Sequence, residues 1–277
     1  MNNSSKSLFH FTDSIKKIKL ILSDKFYGSI CKENITFNNQ KMGLYIPMIS
    51  FCDIPLKTIS HKTKYGKYGI GMSKDWAIRN GLNPVFYLEK NSLLASSLIN
   101  SIKGQILISE YVGLELNRLD HIKSKRIEGQ DSYDVSQMEE DISKAKLIIG
   151  TIQHLFYSFS FTKHVVDDLE RKGKITRNYK FYDEREWRYV PNNNELLNKI
   201  AMSDKAYVEW RGNENKPFVQ DVNLEFKSDD IEFIIVQKNT EKTTIINFIK
   251  ALKNFSQKEK DALALKVFSF QQIKEEF

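Results

Sequence analysis

Two glutamates, Glu184 and Glu186, lie two residues apart in the segment RNYKFYDEREWRYVP. The Tyr, Phe, Trp and Val residues of this segment predict a strand that starts near Tyr179 and ends at Pro191. Because side chains alternate along a strand, both glutamates share one face with Arg188. Carboxylates roughly 7 Å apart repel each other, which raises at least one pKa unless a cation or ligand hydroxyls compensate. The pair therefore forms either a functional site or a solvated strand face in which one glutamate pairs with Arg188.

A histidine stands among aromatic residues near the start of the chain. The residues SLFHFT (7–12) predict a short strand that carries His10, and residues 13–26 follow with helical spacing, capped by Thr12 or Asp13. A helix start favours anionic ligands because its backbone N–H groups and its dipole both attract negative charge. His10 is thus either a ligand-binding residue or a hydrogen-bonded core residue.

Basic and aromatic residues interleave in two parts of the chain. The first group consists of Lys57, Lys62, Lys64, Lys67, Lys74 and Arg79 with Tyr65, Tyr68 and Trp76. The second group consists of Lys163, Arg171, Lys172, Lys174, Arg177 and Lys180. Cations near aromatic rings suit a phosphate backbone and stacked bases, so the pattern favours nucleic acid as a partner. An ordinary solvated lysine-rich surface is the alternative.

The remaining pattern predicts the elements that position these residues. Further strands are predicted at 44–52, 68–72, 84–89, 218–226, 231–236 and 267–270, and helices at 92–108, 136–161, 193–202 and 240–252. Ser73 is a good N-cap for a helix that Gly81 ends, and two glycines within 68–72 indicate a bulge or a close backbone approach. We expect a single α+β domain over 1–277 with a helical insertion at about 92–162.

Composition excludes several classes of protein. The chain has 277 residues, a formal net charge of +7 and two cysteines, which cannot form a disulfide framework or a structural zinc site alone. No run is long enough for a membrane-spanning helix, the start lacks the pattern of a signal peptide, and no residues show metal-ligand spacing. The glycines of GKYGIG do not match the spacing of a dinucleotide fingerprint. The sequence predicts a cytoplasmic protein without a metal.

Three segments stand in an order that resembles a known family: SLFHFT with the helix after it, the run ISFCDIPL to HKTKYGKYGIGMSKDWAIRNGLNPV, and FYDEREWRYVP. Together they resemble the AbiGi-type abortive-infection proteins, which are linked to bacterial phage resistance, over nearly the whole chain. The layout is also similar, more distantly, to ADP-ribosyltransferase folds of the DarT type. That likeness rests on the first-strand His-x-Thr and the late Glu-x-Glu, and it implies an ADP-ribosyltransferase-like split β-sheet core.

The distant resemblance also implies roles for individual residues. Glu186 would be the catalytic carboxylate and Glu184 would orient the acceptor, with NAD as the substrate. The residues implied in binding NAD are His10, Thr12, Tyr68, Ser50 and Arg188. The residues implied in binding the acceptor are His61, Lys64, Tyr65, Lys67 and Trp76. A carboxylate near the ribose stabilises the oxocarbenium-like charge that develops when the nicotinamide–ribose bond breaks. The Ser-Thr-Ser motif of many such enzymes is absent, and SFCD stands in that place.

Two functions of different class follow from these patterns. The first is an anti-phage NAD-dependent ADP-ribosyltransferase that modifies nucleic acid or protein, or an NAD glycohydrolase if water is the acceptor. The second is a non-catalytic antitoxin or phage-sensing module that binds a cognate toxin or a phage protein. They differ in geometry: an enzyme needs Glu184 and Glu186 to open onto a cleft with His10 across it, whereas a binding module leaves that face covered or closed by salt bridges.

Overall fold

The computed structural model describes residues 6–37, 40–59, 66–127, 135–171, 174–192, 207–209 and 219–276. The strands are β1 (Ser7–Thr12), β2 (Phe26–Phe37), β3 (Gln40–Cys52), β4 (Tyr68–Ser73), β5 (Asn83–Pro84), β6 (Phe86–Leu88), β7 (Thr162–His164), β8 (Val166–Arg171), β9 (Lys174–Lys180), β10 (Glu186–Tyr189), β11 (Val219–Leu224), β12 (Ile231–Val236) and β13 (Val267–Ser269). The helices are α1 (Ile15–Ser23), α2 (Leu56–Ile59), α3 (Lys74–Arg79), α4 (Leu93–Ile127), α5 (Val135–Phe159), α6 (Asn239–Ala251), α7 (Gln257–Leu265) and α8 (Phe270–Glu276). The predicted α+β class is confirmed.

Within the described residues, nine strands form one sheet in the order β11-β2-β3-β1-β4-β12-β13, with β10 joined to it through β3 and β5 joined through β10. Cys52 of β3 pairs with Phe9 of β1 and also with Glu186 of β10. Because a strand residue has one neighbour on each side, β1 and β10 lie on opposite edges of this end of β3. Residues directly opposite in an antiparallel pair share a face, so Phe9, Cys52 and Glu186 face the same way.

Helices cover both faces of the sheet. On the first face, the cluster around Leu8 and Phe51 packs against α1 and α6 through buried isoleucines and leucines, among them Ile18, Leu22, Ile245 and Ile249. On the opposite face, Phe9 belongs to a cluster that includes Phe270 and Ile273 of α8. A further cluster joins Met48 of β3 to Ile99 of α4 and Phe159 of α5.

The glycines of β4 are required by a close approach, as the sequence predicts. A Cβ atom on Gly71 would lie 2.8 Å from the ring of Phe9 and 3.0 Å from the side chain of Phe233. These two phenylalanines come from the strands on either side, and each pairs with Gly71. The predicted ends of α3 are also confirmed, because Ser73 Oγ accepts a hydrogen bond from the Trp76 N–H and Gly81 has a φ of 72°.

The two long helices α4 and α5 lie between β6 and β7, at the predicted place of the insertion. The strands on either side of this helical pair associate in parallel, with Tyr87 opposite Lys163. α4 extends to Ile127, well beyond the predicted end at Ile108; no Pro interrupts its second half, and the helix continues through Gly113. Among the described helices, none is long and apolar enough to cross a membrane.

The predicted strand from Tyr179 to Pro191 is wrong. The chain forms β9 up to Lys180, turns through a 3₁₀ helix at Phe181–Glu184, and resumes as β10 at Glu186. Arg185 joins the two with a φ of 46°, in the left-handed region that only a few non-glycine residues adopt. The simple alternation of faces therefore ends before Glu184.

Two other expectations differ from the structure, and a third is not tested by it. β2 was missed, although it contains several β-branched and aromatic residues and pairs with most of β3 as a long hairpin. α1 begins after Ser14 rather than with a cap from Thr12 or Asp13, and Ser14 makes no side-chain cap bond. The predicted helix at 193–202 lies outside the described residues.

Candidate functional site

The segment around Glu186 forms a buried cluster of charges. We use the name ion cluster for Glu33, Lys163, Glu184, Glu186 and Arg188. Lys163 Nζ lies 2.8 Å from Glu186 Oε2, 3.6 Å from Glu33 Oε1 and 3.7 Å from Glu184 Oε2. Two cations thus neutralise most of the charge of three carboxylates.

Arg188 is the most deeply buried member of the ion cluster, with an exposed fraction of 0%. Its Nε donates to Glu186 Oε1 at 2.8 Å, its Nη1 donates to the Ser160 carbonyl at 2.6 Å, and its Nη2 donates to Glu33 Oε1 at 2.9 Å. The guanidinium therefore binds β2, β10 and the end of the insertion at once. A buried arginine with this many charge-assisted partners is satisfied within the chain.

Glu186 is held by both cations of the ion cluster. Its side chain is 5% exposed, and both carboxylate oxygens accept hydrogen bonds, Oε1 from Arg188 and Oε2 from Lys163. Burial acts to raise the pKa of Glu186, but the charges of Arg188 and Lys163 outweigh it and hold the pKa well below its usual range. The carboxyl is ionised at neutral pH, with its charge already compensated.

The same contacts set the state of Lys163. Burial acts to lower the pKa of Lys163, but attraction by Glu186, Glu33 and Glu184 outweighs it and raises the pKa above its ordinary value. The ammonium also lies over the ring of Phe181, 4.4 Å from its centroid. Lys163 was predicted to belong to a basic surface group, and this prediction is wrong, since its side chain is only 9% exposed.

Two tyrosines border the ion cluster. The Tyr87 hydroxyl oxygen accepts a hydrogen bond from the Glu186 N–H at 2.8 Å, and burial raises the pKa of this tyrosine. Burial, followed by interaction with the Glu184 carboxylate, raises the pKa of Tyr179. Both hydroxyls stay protonated at neutral pH, so they act as hydrogen-bonding groups around the carboxylates.

His10 lies on the other face of the sheet. Its ring contacts Phe26 and Phe51, each with a centroid distance of 5.4 Å, and its Nδ1 hydrogen-bonds the Ser50 carbonyl at 2.9 Å. Phe51 pairs with Trp187, whereas Glu186 pairs with Cys52, so His10 and Glu186 point to opposite faces. The expectation that the two residues share a cleft is therefore wrong, because β3 lies between their strands. Burial lowers the pKa of His10, which fits the alternative of a core histidine.

Of the other residues implied in binding NAD, Tyr68 and Thr12 lie on the face opposite Glu186, whereas Ser50 and Arg188 lie on the same face as Glu186. The Tyr68 hydroxyl donates to Glu241 Oε1 at 2.7 Å on the His10 side of the sheet, and burial followed by this bond raises its pKa to about 12. Thr12 is buried, and its Oγ1 accepts from the Ser14 N–H at 3.4 Å. Ser50 pairs with Arg188 across β3 and β10.

The implied acceptor-binding residues are only partly described. His61, Lys64 and Tyr65 lie outside the described residues, and Lys67 is exposed. The prediction that Trp76 lies on an acceptor-binding surface is wrong, because Trp76 is 1% exposed. Its indole N–H donates to the Glu225 carbonyl at 2.9 Å. Of the predicted basic group, Lys74 pairs with Asp53 at 2.7 Å and Arg79 with Asp230 at 2.6 Å, so part of its charge is compensated.

Sequence reasoning missed Glu33 and Tyr87 as members of this site. Glu33 belongs to the missed strand β2, and Tyr87 was noted only as part of a strand. Neither residue carries a local motif, since what links them to Glu186 is long-range pairing. Across the described ranges, no group of His, Cys, Asp or Glu residues is placed to hold a metal ion.

Comparisons with known proteins agree with the resemblance. Residues 24–237 match the family described as "Putative abortive phage resistance protein AbiGi, antitoxin". The chain is 30% identical to the abortive phage resistance protein AbiGi of Lactococcus lactis subsp. cremoris, over 91% of this chain and 95% of that relative. No solved structure matches the chain.

Proposed function

Because the chain belongs to the AbiGi family of abortive phage resistance proteins, we propose that it acts as the antitoxin of an abortive-infection system, a non-catalytic module that binds and restrains a toxin. The observation that carries this proposal is that the Glu186 carboxylate is buried and already bonded to two cations. Its two oxygens are bonded to Lys163 and Arg188 at 2.8 Å, and the side chain is 5% exposed. The word antitoxin in the family description supports the same assignment.

An ADP-ribosyltransferase needs its carboxylate to meet the ribose of NAD as positive charge develops there. In this chain, the Lys163 ammonium already lies beside the Glu186 carboxylate, where the positively charged ribose would have to lie. The aromatic surroundings and the hydrogen bond of His10 account for its presence without a ligand. The NAD-dependent transferase, the NAD glycohydrolase and the ADP-ribosyltransferase-like core stay predictions, and we rank them below the antitoxin.

Nucleic acid as a partner also stays a prediction. The described part of the first basic group supplies exposed Lys67, whereas Lys74 and Arg79 are paired with acids and Trp76 is buried. Stacking of bases on Trp76 would require the core to open. A toxin protein is therefore the partner that we favour.

Expression of the chain alone in a bacterial host separates the two classes of function. An antitoxin leaves growth and the cellular NAD level unchanged, whereas an NAD-consuming enzyme arrests growth and lowers NAD. The purified chain should likewise release no nicotinamide from labelled NAD. Glu186→Gln is the matched variant, and it should lower thermal stability with no change in either readout.

One result would replace the antitoxin by the enzyme. Release of nicotinamide by the wild type, together with its loss in a folded Glu186→Gln protein, would show that Glu186 acts on NAD. Restored growth on co-expression with a toxin whose expression alone arrests growth would support the antitoxin directly.

A further inference from the structure

The helix α4 exposes an apolar stripe to solvent. Its exposed large side chains include Leu93 at 82%, Leu107 at 66%, Tyr111 at 70% and Leu114 at 70%. The same helix buries Ala95, Ile99, Ile102, Val112 and Leu119 against the rest of the chain. A helix with apolar residues both on its buried side and on its exposed side generally has a partner on each. Packing among the residues that the structure describes accounts for only the buried side of α4.

The exposed stripe has the spacing of a coiled-coil seam. Asn100, Gly104, Leu107, Tyr111, Leu114 and Arg118 follow one another at intervals of four and three residues. In heptad terms, Gly104 and Tyr111 occupy position a, and Leu107 and Leu114 occupy position d. We refer to these six residues and Ser97 and Leu93 before them as the α4 seam.

The two halves of the α4 seam differ in size. Between residues 97 and 114, the C-terminal half carries the large Leu107, Tyr111 and Leu114, whereas the N-terminal half carries Ser97, Asn100 and Gly104. The large Leu93 lies beyond them, at the first residue of the helix. Apart from the two neighbouring residues and the backbone of α4 itself, no atom lies within 4 Å of the place where a Cβ on Gly104 would be, so the helix is open to approach there. A helix surface with large side chains toward one end and small side chains toward the other is complementary to a second copy that runs in the opposite direction.

We propose that the α4 seam is a homodimer interface, in which α4 packs antiparallel against α4 of a second copy of this chain about a two-fold axis between residues 104 and 107. In this register Leu107 meets Gly104 of the second copy, and Tyr111 meets Asn100. Leu114 meets Ser97. A parallel arrangement would instead set the large residues against each other and leave the small ones facing a gap.

Charge on the flank of the α4 seam fits the same register. Lys103 and Glu110 are both exposed and lie one heptad apart, at position g. Antiparallel helices bring the g positions of the two copies together, so Lys103 faces Glu110 of the second copy. The two-fold axis produces this contact twice. Shifting the second copy along the helix by one heptad also keeps position a opposite position d near the centre. That register would bring Glu110 of one copy against Glu110 of the other.

The length of the α4 seam sets the expected affinity. From Leu93 to Arg118, the first and last residues of the α4 seam, the helix rises about 38 Å. One helix from each copy over this length gives an interface at the lower end of the specific range, so we expect a dissociation constant of the order of micromolar. The dimer is independent of the proposed antitoxin function, and either can fail without the other.

Sedimentation analysis of the full chain between about 1 and about 200 µM tests the dimer over the expected affinity range. The wild type should pass from monomer to dimer, and Tyr111→Glu should weaken dimerisation by at least about tenfold, since it buries a charge at the centre of the interface. Leu265→Glu is the matched control, because Leu265 is 83% exposed on α7 and should leave dimerisation unchanged. Circular dichroism establishes that each variant is folded.

A charge exchange tests the register. Lys103→Glu and Glu110→Lys should each weaken the dimer, and the double variant should restore it, because the two charges then exchange places across the axis. A wild type that stays monomeric at the highest concentration overturns the proposal, as does a dimer that Tyr111→Glu does not affect. A double variant that stays as weak as the singles overturns the antiparallel register.

Discussion

At the scale of single residues, Lys163 and Arg188 determine what Glu186 can do. Each of them lies 2.8 Å from one of its oxygens, and together they hold its pKa well below the usual range. A general acid needs a pKa raised toward neutrality, and a charge-stabilising carboxylate needs an open side toward the substrate. Glu186 has neither, so its contacts are those of a structural ion pair.

Removal of one cation from the ion cluster should destabilise the protein strongly. Lys163→Met keeps much of the apolar stem but removes the cation that lies beside the buried Glu184 and Glu186 and the partly buried Glu33. Breaking a buried charge pair in this way typically costs about 3 to 5 kcal/mol. Urea unfolding of the purified protein measures the loss. Lys144→Met is the control, since Lys144 pairs with Glu140 on the exposed surface of α5 and its loss should leave the urea midpoint unchanged. Equal midpoints for Lys163→Met and wild type would contradict the structure of the cluster.

The sequence indicates the carboxylates of this site but not their partners. Glu184 and Glu186 stand out because they are close together in an aromatic segment, and Arg188 follows on the same face of β10 as Glu186. Lys163 follows the two long helices in the sequence, and the pairing of β7 with β6 brings it to the site. That pairing leaves no local signal, so Lys163 has the same sequence context as a surface lysine.

At the scale of elements, β4 shows how a short strand fixes the sheet. Gly69 and Gly71 alternate with the buried Tyr68, Ile70 and Met72, so one face of β4 has no side chain before Ser73. Phenylalanines from β1 and β12 fill the space over Gly71. The sequence predicts this strand from its apolar residues. The two glycines within it predict that a neighbouring segment approaches the backbone closely.

A methyl group at Gly71 should therefore disturb the sheet. Gly71→Ala places a Cβ 2.8 Å from the ring of Phe9 and 3.0 Å from Phe233, and overpacking of this kind usually costs about 1 to 3 kcal/mol. Gly113→Ala on α4 is the opposite case, because nothing lies within 4 Å and the helix should gain about 0.5 to 1 kcal/mol. Thermal unfolding of the two variants should shift in opposite directions. A stabilised Gly71→Ala would show that the phenylalanines are not packed over the strand.

The break between β9 and β10 could not be read from the sequence. Tyr, Phe, Trp and Val give most of residues 179–191 strong strand propensity, and the weaker strand formers Asp183 and Glu184 do not by themselves predict the turn at Phe181–Glu184. Arg185 takes a left-handed conformation with no glycine or asparagine to signal it, and its carbonyl accepts a hydrogen bond from the Asp53 N–H at 3.0 Å. The turn places Glu184 Oε2 3.7 Å from Lys163 Nζ.

At the scale of the whole molecule, the ion cluster connects parts that are distant in sequence. Glu33 comes from the β2–β3 hairpin, Lys163 from the strand after the insertion, and Arg188 from β10. The same cluster borders the apolar contact between α4, α5 and β3. Loss of its ionisation therefore affects the sheet and the insertion together.

This arrangement predicts a specific loss of stability in acid. The pKa of Glu186 is lowered in the folded state, so the unfolded chain binds a proton first, near the ordinary glutamate pKa of about 4.3. Its contribution to stability is fully present above that pH and is lost as the pH falls below it, with a slope of up to about 1.4 kcal/mol per pH unit for one carboxyl. Urea unfolding at a series of pH values from about 7 down to about 3 measures this slope. Glu186→Gln should be less stable at neutral pH but should lose stability less steeply below about pH 4.5, because it lacks the group that takes up the proton. Parallel curves for the variant and the wild type would mean that Glu186 is not held as an ion pair in the folded protein.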